Sequence, residues 1–430
     1  MPTPNTGRRT WLSFAGLLLV LLLLLARSVA IWFQVDSLQR DPDLYRTIAH
    51  RLRTGQGYAR PDGAGVDWPT AFRPPLYPVL LAATSRSPEI PSRDVAVLHI
   101  VIGVAGVYAV ARLGRSWGMG WRAYLAAGLV AVDPLLLLQS FQVMTEPLAA
   151  LLATSVLIKI ANWRATPTRH GAAAAGFIAG LAILCRPTFL PWLLIASALT
   201  VVRHRRTLPL GHAVCFLAAA AITLAPWVVR NRLQFGAWIV TTTHGGYTLL
   251  LGNNDSFYDA LLSRSARTPP QDSRDDATRP WSAEPLQALI DETLARNDWN
   301  LVRDERQLDR ELSRLALRTS RDRPLAFVAA CAYRVGQFWS PFGHAIDGES
   351  NLRRIARWLS AVWYSVLLAV FGGSLWINRK RIVSTALADG LLLVLVFTVV
   401  HAIYWSNPRM RAPVMPVIYL IAALPLRQRE

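Results

Sequence analysis

Residues 11–33 read WLSFAGLLLVLLLLLARSVAIWF, an almost uninterrupted apolar run. A helix crosses the hydrocarbon core of a bilayer with about 20 mostly apolar residues, so this run is long enough to span a membrane. The rest of the chain continues the pattern, because 53% of its 430 residues are hydrophobic and 17% are charged. Soluble domains are about one quarter charged. The sequence therefore predicts an integral membrane protein.

The first run allows two interpretations. Ser28-Val29-Ala30 is similar to the small-x-small site at which a secretory signal is cleaved. The run is, however, longer than the apolar core of a signal, about 7–15 residues, and many further apolar segments follow it. We therefore expect an uncleaved first helix with Arg8 and Arg9 on the cytoplasmic side.

Nine further apolar segments follow, and together with the first run they predict about ten transmembrane helices. When each segment crosses the membrane, the dense basic clusters between neighbouring helices all fall on one side, as the positive-inside rule requires. The segments lie near 94–113, 123–141, 147–162, 171–185, 188–202, 212–229, 357–377, 384–403 and 412–425. The basic clusters are Arg112/Arg115/Arg122, Arg164/Arg169, Arg203/Arg205/Arg206, Arg379/Lys380/Arg381 and Arg427/Arg429.

The net charge of +19 also fits a protein that binds nucleic acid. Nearly all of the positive charge is arginine, with Lys159 and Lys380 as the lysines, and it lies in short clusters between apolar segments. This distribution is typical of membrane orientation and headgroup anchoring. We therefore expect membrane lipids as partners and no nucleic acid.

Two long polar regions are predicted on the outer side, and they divide the chain. Residues 1–229 form an N-terminal transmembrane module with the first outer loop at 34–93. Residues 230–355 form a second outer region, and 356–430 form the C-terminal helices.

In the first loop, 43–53 has a helical pattern, Gly55-Gln56-Gly57 indicates a turn, and the proline-rich piece 74–78 is too short to span, which predicts an interfacial position. In the second region, 284–318 has apolar residues at helical spacing between charges. Residues 325–342 are interrupted by polar side chains and are predicted to be interfacial. If they span the membrane instead, the predicted orientation of every later segment is reversed.

Several kinds of site are not indicated by the sequence. It contains no P-loop, no GxGxxG after a strand, no HExxH and no convincing internal repeat,. Cys185, Cys215 and Cys331 lie in separate apolar segments, which predicts unpaired packing residues rather than disulfides. The eight histidines are scattered, so a divalent metal is not indicated and no cofactor is expected.

The predicted topology gathers acids and arginines at the outer membrane face. Arginine offers a planar, permanently charged fork that matches a phosphate group. A carboxylate near an apolar surface can accept a proton from a hydroxyl group. Such a layer suits a phosphate-linked lipid and a hydroxyl or amine acceptor. Its members are Asp41, Asp43, Arg73, Glu146, Arg186, Arg230, Arg409 and Arg411.

Each of these residues also has a structural interpretation. Arginine at a helix end often only anchors the interface. Asp41 precedes a proline and fits a helix cap, and Glu146 suits the positive end of the helix that follows. Asp133 and Lys159 lie within or near spans, where charges are functional candidates by default, although Asp133-Pro134 fits a helix irregularity equally well. His244 is expected to form hydrogen bonds within its loop.

Several segments, in this order, resemble the GT-C glycosyltransferases, above all the protein O-mannosyltransferase-like enzymes and the aminoarabinose lipid A transferases. The resemblance covers nearly the whole chain. Its segments are DPDLYRTIA (41–49), GQGY (55–58), FRPPLYP (72–78), TEPL (145–148), GLAILCRP (180–187), PWVVRN (226–231), GGYTLLLGNN (245–254) and RMRAP (409–413).

The resemblance implies an all-α, GT-C-like bundle of about ten transmembrane helices, with interfacial helices in the first outer loop and a helical outer domain. It implies that Asp41 is the catalytic base, with Asp43 as a competitor, that Glu146 is a second acid, and that Arg73 contacts the carrier phosphate. Phe72 stands where the aminoarabinose enzymes carry a glutamate that helps to hold a metal, so a metal is not carried over. Further substrate-binding candidates are Tyr77, Arg230, Asn231, Arg409 and Arg411.

The implied activity is inverting transfer of a sugar from a polyprenyl-phosphate donor to an unidentified lipid, glycan or protein acceptor. It takes place on the outer face of the cytoplasmic membrane. Two other classes stay open: a transporter or flippase for lipid-linked sugars, and a subunit that kept the fold without catalysis. Transporters place their charges near the bilayer midplane within broken helices of inverted repeats, whereas most of the polar candidates here lie at one face.

Overall fold

The protein begins with a long helix followed by a compact loop. The computed structural model describes residues 4–204, 210–265, 283–343, 350–384 and 386–425. Helix α1 spans Pro4–Phe33 and leads into a 3-10 helix at Val35–Gln39. The first outer loop then forms α2 (Tyr45–Arg53), the antiparallel strands β1 (Ala59–Pro61) and β2 (Asp67–Pro69), and α3 (Leu76–Thr84).

The helix predicted over 43–53 is present as α2, the glycine turn is confirmed, and the proline-rich piece 74–78 leads into α3. Gly55 and Gly57 have φ angles of 79° and 76°, which side chains other than glycine rarely adopt,. The two-stranded hairpin was not predicted. Its three-residue strands are too short to give a periodic signal, and contacts with the rest of the protein hold them in place.

The central bundle consists of seven helices with one sharp break. They are α4 (Ser92–Ser116), α5 (Arg122–Ala131), α6 (Pro134–Ser140), α7 (Glu146–Ala165), α8 (Arg169–Cys185), α9 (Phe189–His204) and α10 (Leu210–Phe235). The predicted span 123–141 is thus two helices bent by 46°. The bend lies at Asp133-Pro134, where the Asp133 carboxylate caps α6 by accepting from the Leu136 N–H at 2.7 Å,.

The region predicted to be the second outer one is helical in its described residues, as expected. It contains α11 (Gly245–Gly252), α12 (Asp255–Ser265), α13 (Ala283–Asn297), α14 (Glu305–Asp322) and α15 (Pro324–Trp339). The stretch 284–318, whose spacing predicted amphipathic helix, lies in α13 and α14. The predicted boundary at 229/230 falls inside α10, which continues to Phe235.

The helices of the C-terminal part have other bounds than the predicted spans. Helix α16 (Asn351–Ser384) is longer than the predicted 357–377, and α17 (Leu387–Ile403) follows directly. The last predicted span, 412–425, is a 3-10 helix at Pro408–Val414 followed by the eight-residue α18 (Met415–Ala422). Pro413 lies inside the 3-10 helix, where a proline cannot donate the hydrogen bond that an α-helix needs,.

The chain is a multi-pass membrane protein. Among the described residues, five helices are long and apolar enough to cross a bilayer, or six when the bent pair α5–α6 counts as one span. Three further apolar helices are shorter and lie at Arg169–Cys185, Phe189–Thr200 and Leu387–Ile403. Every predicted span therefore contains helix, but 123–141 is broken into two helices, 412–425 is a 3-10 helix followed by a short α-helix, and three others are too short to qualify by length. Arg205, Arg206, Arg427 and Arg429 lie outside the described residues.

A buried arginine fastens α1 to the bundle. The Arg27 guanidinium donates to the carbonyls of Ala131 and Leu136 at 3.0 and 3.1 Å, and to the Ser140 hydroxyl at 2.6 Å. The two carbonyls flank the break between α5 and α6, where the helical hydrogen-bond ladder is interrupted. Arg27 thus supplies donors that water cannot supply inside a membrane.

Two glycines allow α8 and α10 to pack closely. A Cβ atom at Gly176 would lie 2.0 Å from the Phe216 carbonyl oxygen, and one at Gly180 would lie 2.6 Å from the Thr223 Cβ. The spacing is that of a small-xxx-small motif, which brings helix backbones into contact in membranes. The three cysteines, predicted to be unpaired, are free thiols.

We predict that Gly176→Ala destabilises the protein, because the added methyl group forces α8 away from α10. Overpacking of this kind costs about 1–3 kcal/mol. The thermal unfolding midpoint of the purified protein in detergent measures the change. Gly372→Ala is the control, because a Cβ there would meet no atom within 4 Å, and alanine is the better helix former. Equal midpoints for the two variants would contradict the close packing.

Candidate functional site

Five charged side chains from five separate elements form a continuous row, named here the charge ladder: Arg73, Asp43, Arg409, Glu146 and Arg186. Arg73 Nη2 donates to Asp43 Oδ1 at 2.7 Å, and Arg409 Nη2 donates to Asp43 Oδ2 at 3.3 Å. Arg409 Nε also donates to Glu146 Oε1, and Arg186 Nη2 reaches the same oxygen at 3.4 Å. Carboxylates and guanidinium groups therefore alternate along the row.

Local structure places each member of the ladder at the end of an element. Asp43 precedes α2, Arg73 precedes α3, Glu146 is the first residue of α7, and Arg186 follows α8. The Asn407 side chain caps the 3-10 helix by accepting from the Arg409 N–H at 3.0 Å. The N-terminal turn of α7 carries partial positive charge, which favours a carboxylate there.

The ladder is positive and keeps unused polar atoms. Its three guanidinium groups face two carboxylates, and Glu146 is completely buried. Glu146 Oε2 and Arg186 Nη1 are buried without a hydrogen-bond partner among the described residues. Burial opposes the charge on Arg409, yet the carboxylates of Glu146 and Asp43 hold its pKa above the usual value. Guanidinium groups that keep their charge beside apolar surface can bind a phosphate group.

Asp41 lies two residues before Asp43 in the chain, and one of its carboxylate oxygens has no partner among the described residues. Its Oδ2 accepts from the Thr47 N–H at 2.8 Å and from the Thr47 hydroxyl at 3.0 Å, so it caps the first turn of α2,. Its Oδ1 is buried and has no partner within the described residues. Asp41 therefore acts as the helix cap that the sequence analysis considered. This role uses one carboxylate oxygen and leaves the other for a ligand.

Arg230 and Asn231, two of the predicted substrate-binding residues, hold backbone instead of joining the ladder. Arg230 donates to the carbonyls of Thr70 and Tyr58 at 2.8 and 2.6 Å and to the Asn231 side chain at 2.9 Å. Asn231 is fully buried and donates to the Ile239 carbonyl at 3.0 Å. This pair fixes the end of α10 to the hairpin.

Tyr77 and Arg411, two further predicted substrate-binding residues, are completely buried. The Tyr77 hydroxyl pairs with His99 Nε2 at 2.6 Å. Arg411 donates to the carbonyls of Phe338 and Ser340 at 3.0 and 2.6 Å, so it caps the C-terminal end of α15. The direct contacts of both residues are thus with the protein itself.

The two intramembrane charges noted in the sequence have different surroundings. Asp133 is completely buried and accepts from the hydroxyls of Tyr364 and Tyr419 at 3.0 and 2.7 Å. Asp133 also caps α6, so these bonds complete its role at the break between α5 and α6. This is the helix irregularity that the sequence analysis considered for Asp133-Pro134. Lys159 is exposed on α7.

A second buried acid, Glu305 at the start of α14, was not predicted. Its Oε1 accepts from the Ala71 N–H at 2.6 Å and from the Thr243 hydroxyl at 2.8 Å. Its Oε2 accepts from the Thr70 hydroxyl at 2.7 Å and pairs with Arg60 at 3.2 Å. Glu305 thus ties the outer helices to the segment that ends at Arg73. Among the many acids of an amphipathic helix, no sequence signal separates it from a solvated one.

His244 forms hydrogen bonds within its loop through its backbone, since its carbonyl accepts from the Thr248 N–H at 3.3 Å and from the Thr248 hydroxyl at 2.6 Å. Its ring packs edge-to-face on Phe72, with centroids 4.5 Å apart, and stacks on Tyr247 at 4.9 Å. The chemistry of this neighbourhood does not fit a metal, because the guanidinium groups of Arg60 and Arg73 both lie 4.4 Å from the Phe72 ring centre. In the part of the chain that the structure describes, no three His, Cys, Asp or Glu side chains are grouped as metal ligands.

The fold is similar to that of solved membrane transferases. No protein-family model matches the chain, and no curated protein matches its sequence. The archaeal oligosaccharyltransferase AglB from Archaeoglobus fulgidus, solved with an inhibitory peptide and a dolichol-phosphate, aligns at a TM-score of 0.50 and 16% identity over 94% of this chain. Its apo form aligns at 0.50 and 15%, also over 94% of this chain. In both, the match covers 50% of that protein, so this chain spans half its length.

ArnT from Cupriavidus metallidurans, solved with undecaprenyl phosphate, aligns at a TM-score of 0.44 and 14% identity, over 94% of this chain and 77% of ArnT. The predicted GT-C-like fold is confirmed by the likeness to AglB.

We predict that Glu305→Ala loosens the outer helices, because it removes the acceptor of three hydrogen bonds and leaves Arg60 buried without its carboxylate. Breaking a buried pair costs about 3–5 kcal/mol. Thermal unfolding and limited proteolysis in detergent measure the effect. Glu311→Ala is the control, because its partners Arg296 and Arg314 are exposed and such surface ion pairs are worth about 0–1 kcal/mol. Equal losses in the two variants would refute the role of Glu305.

Proposed function

We propose that this chain, which has the fold of the GT-C glycosyltransferases, transfers a sugar from a polyprenyl-phosphate carrier to a hydroxyl- or amine-bearing acceptor. We place the reaction on the outer face of the cytoplasmic membrane. The observation that carries the proposal is the charge ladder, which joins three arginines to two carboxylates and leaves Glu146 Oε2 without a partner among the described residues.

The arginines of the ladder suit the phosphate of the donor. Arg73, Arg186 and Arg409 give the row one positive charge more than its two carboxylates balance. A phosphodiester that enters the row adds the missing negative charge, and Arg186 Nη1 is a buried donor without a partner among the described residues. AglB is solved with a dolichol-phosphate, which supports the same class of carrier here.

Asp41 is the best placed base. One of its oxygens is fixed by Thr47, and the other is free to accept the proton of an acceptor hydroxyl. Asp43, the competitor, has both oxygens bound to arginine, which makes it a weaker proton acceptor,. Glu146 Oε2 is also free. In the second-acid role it orients the acceptor, while its other oxygen is held by Arg409 and Arg186.

The reaction is a direct displacement at the anomeric carbon. The acceptor oxygen loses its proton to Asp41 and forms the new bond to carbon 1 of the sugar. The bond between carbon 1 and the phosphate oxygen breaks, and its electron pair leaves with the polyprenyl phosphate. The guanidinium groups stabilise the charge that develops on the phosphate. No covalent intermediate with the protein is needed, and the configuration at carbon 1 inverts.

A transporter fits the buried charges less well. Asp133 lies at the one broken span found among the described residues, where a transporter would hold its cargo,. Its oxygens are already bound by the Leu136 N–H and by two tyrosine hydroxyls. A subunit without catalysis is separated from the enzyme by the turnover measurement below.

We predict that Asp41→Asn lowers turnover by about 100-fold or more, because the amide cannot accept the acceptor's proton. Mass spectrometry of lipids, glycans and glycoproteins from a deletion strain and its parent identifies the substrates. Release of polyprenyl phosphate from that donor by the purified protein then measures turnover. Asp36→Asn is the control, because Asp36 is an exposed acid in the same loop.

Unchanged turnover in folded Asp41→Asn would contradict the base assignment and move it to Asp43 or Glu146. Wild-type protein that releases no polyprenyl phosphate would contradict the enzymatic function altogether. If that protein moved the lipid-linked sugar between the leaflets of a vesicle, it would be a transporter.

A further inference from the structure

Three rings form a continuous surface beside the charge ladder, named here the ring cluster: Phe72, His244 and Tyr247. The His244 ring centre lies 4.5 Å from that of Phe72 and 4.9 Å from that of Tyr247. All three side chains are half-buried, so part of the cluster is open. Phe72 adjoins Arg73 in the chain, and the Arg73 guanidinium lies 4.4 Å from its ring centre. The cluster therefore begins where the ladder ends.

The ring cluster is held in place by the backbone. The Thr243 N–H donates to the Ala71 carbonyl at 3.0 Å, so the residues before Phe72 and before His244 are paired. The Glu305 carboxylate binds both of these segments through the Ala71 N–H and the Thr243 hydroxyl. Tyr247 lies in the first turn of α11, whose Gly246 N–H donates to Asp309 at 2.6 Å. Such fixed rings bind a ligand at a low cost in entropy.

His244 brings an unused polar group to this apolar surface. Its ring forms no hydrogen bond or ion pair with any residue that the structure describes. Burial, together with the charges of Arg73 and Arg60, lowers its pKa well below the usual range, so the imidazole is neutral at physiological pH. A neutral imidazole presents one N–H donor and one nitrogen acceptor. That combination matches a hydroxyl group, which also donates and accepts.

We propose that the ring cluster is the subsite for the sugar of the lipid-linked donor, with His244 bonded to one of its hydroxyls. The inference rests on the proposed function and adds the position of the sugar. Carbon 1 of the donor sugar is bonded to the phosphate oxygen. A phosphate held by Arg73 therefore places the sugar next to Arg73, where Phe72 lies. The C–H face of a pyranose is apolar and packs on aromatic rings, while its hydroxyls need polar partners.

The experiment compares carriers with and without a sugar. Affinities of the purified full-length protein in detergent are measured by microscale thermophoresis for undecaprenyl phosphate. They are measured in the same way for undecaprenyl phosphates that carry glucose, galactose, mannose or 4-amino-4-deoxyarabinose. The variants are Phe72→Leu, which keeps an apolar side chain, and His244→Phe, which keeps the ring stack and removes both nitrogens. Arg73→Gln tests the phosphate site. Trp238→Leu is the control, because its ring is 69% exposed and also lies near an arginine, Arg232, outside the cluster.

The wild-type protein is expected to bind at least one glycosylated carrier more tightly than the bare carrier. His244→Phe should lose about 3- to 10-fold for that glycosylated carrier, as for one neutral hydrogen bond, and Phe72→Leu about 10-fold. Neither should change affinity for the bare carrier. Arg73→Gln should lower the affinity for both kinds of carrier, and Trp238→Leu should change neither affinity.

Two results would overturn the sugar subsite and leave the proposed function standing. In the first, the wild-type protein binds the sugar-bearing carriers no more tightly than the bare carrier. In the second, the Phe72 and His244 variants change the affinity for both kinds of carrier equally, or change neither. The proposed function fails differently, through wild-type protein with no affinity for undecaprenyl phosphate or through Arg73→Gln without effect.

Discussion

The arrangement depends on a carboxylate that the fold buries completely. Glu146 begins α7 and has no exposed surface. Burying an unpaired carboxylate costs several kcal/mol, so the site is stable only because positive charge lies opposite. Arg186 follows the next helix in the chain, and Arg409 comes from the 3-10 helix near the other end of the chain. Arg409 also pairs with Asp43, so this one acid indirectly fixes the first outer loop.

A similar device fastens the outer helices. Glu305 is nearly as buried as Glu146, and its partners are the hairpin segment and Thr243. Its contacts end one residue before Phe72, and the ladder begins one residue later at Arg73. Two buried acids thus hold the first outer loop between the membrane bundle and the outer helices. The loop needs such support, because its own strands have three residues each.

The sequence predicted what local pattern encodes. Apolar length identified the helices, and acids and arginines at helix ends identified all five ladder residues as members of one layer. Arg186 was predicted there without a substrate role. The sequence pattern could not show which polar side chains point into the protein and form hydrogen bonds with its own groups. Arg230, Asn231, Tyr77 and Arg411 look like the ladder residues in sequence, yet their partners lie within the protein and come from distant segments. Glu305 and the ring cluster were not predicted, for the same reason.

The central claim is that Asp43 and Arg409, far apart in the chain, meet on the outer side of the membrane. Single cysteines at positions 43, 409 and 112, in a background without native cysteines, test it with a membrane-impermeant maleimide on intact cells. The account predicts that the cysteines at 43 and 409 react from outside and that the one at 112 reacts only after the membrane is permeabilised. Labelling of 43 and 409 from opposite sides would contradict the ladder and the function proposed for it.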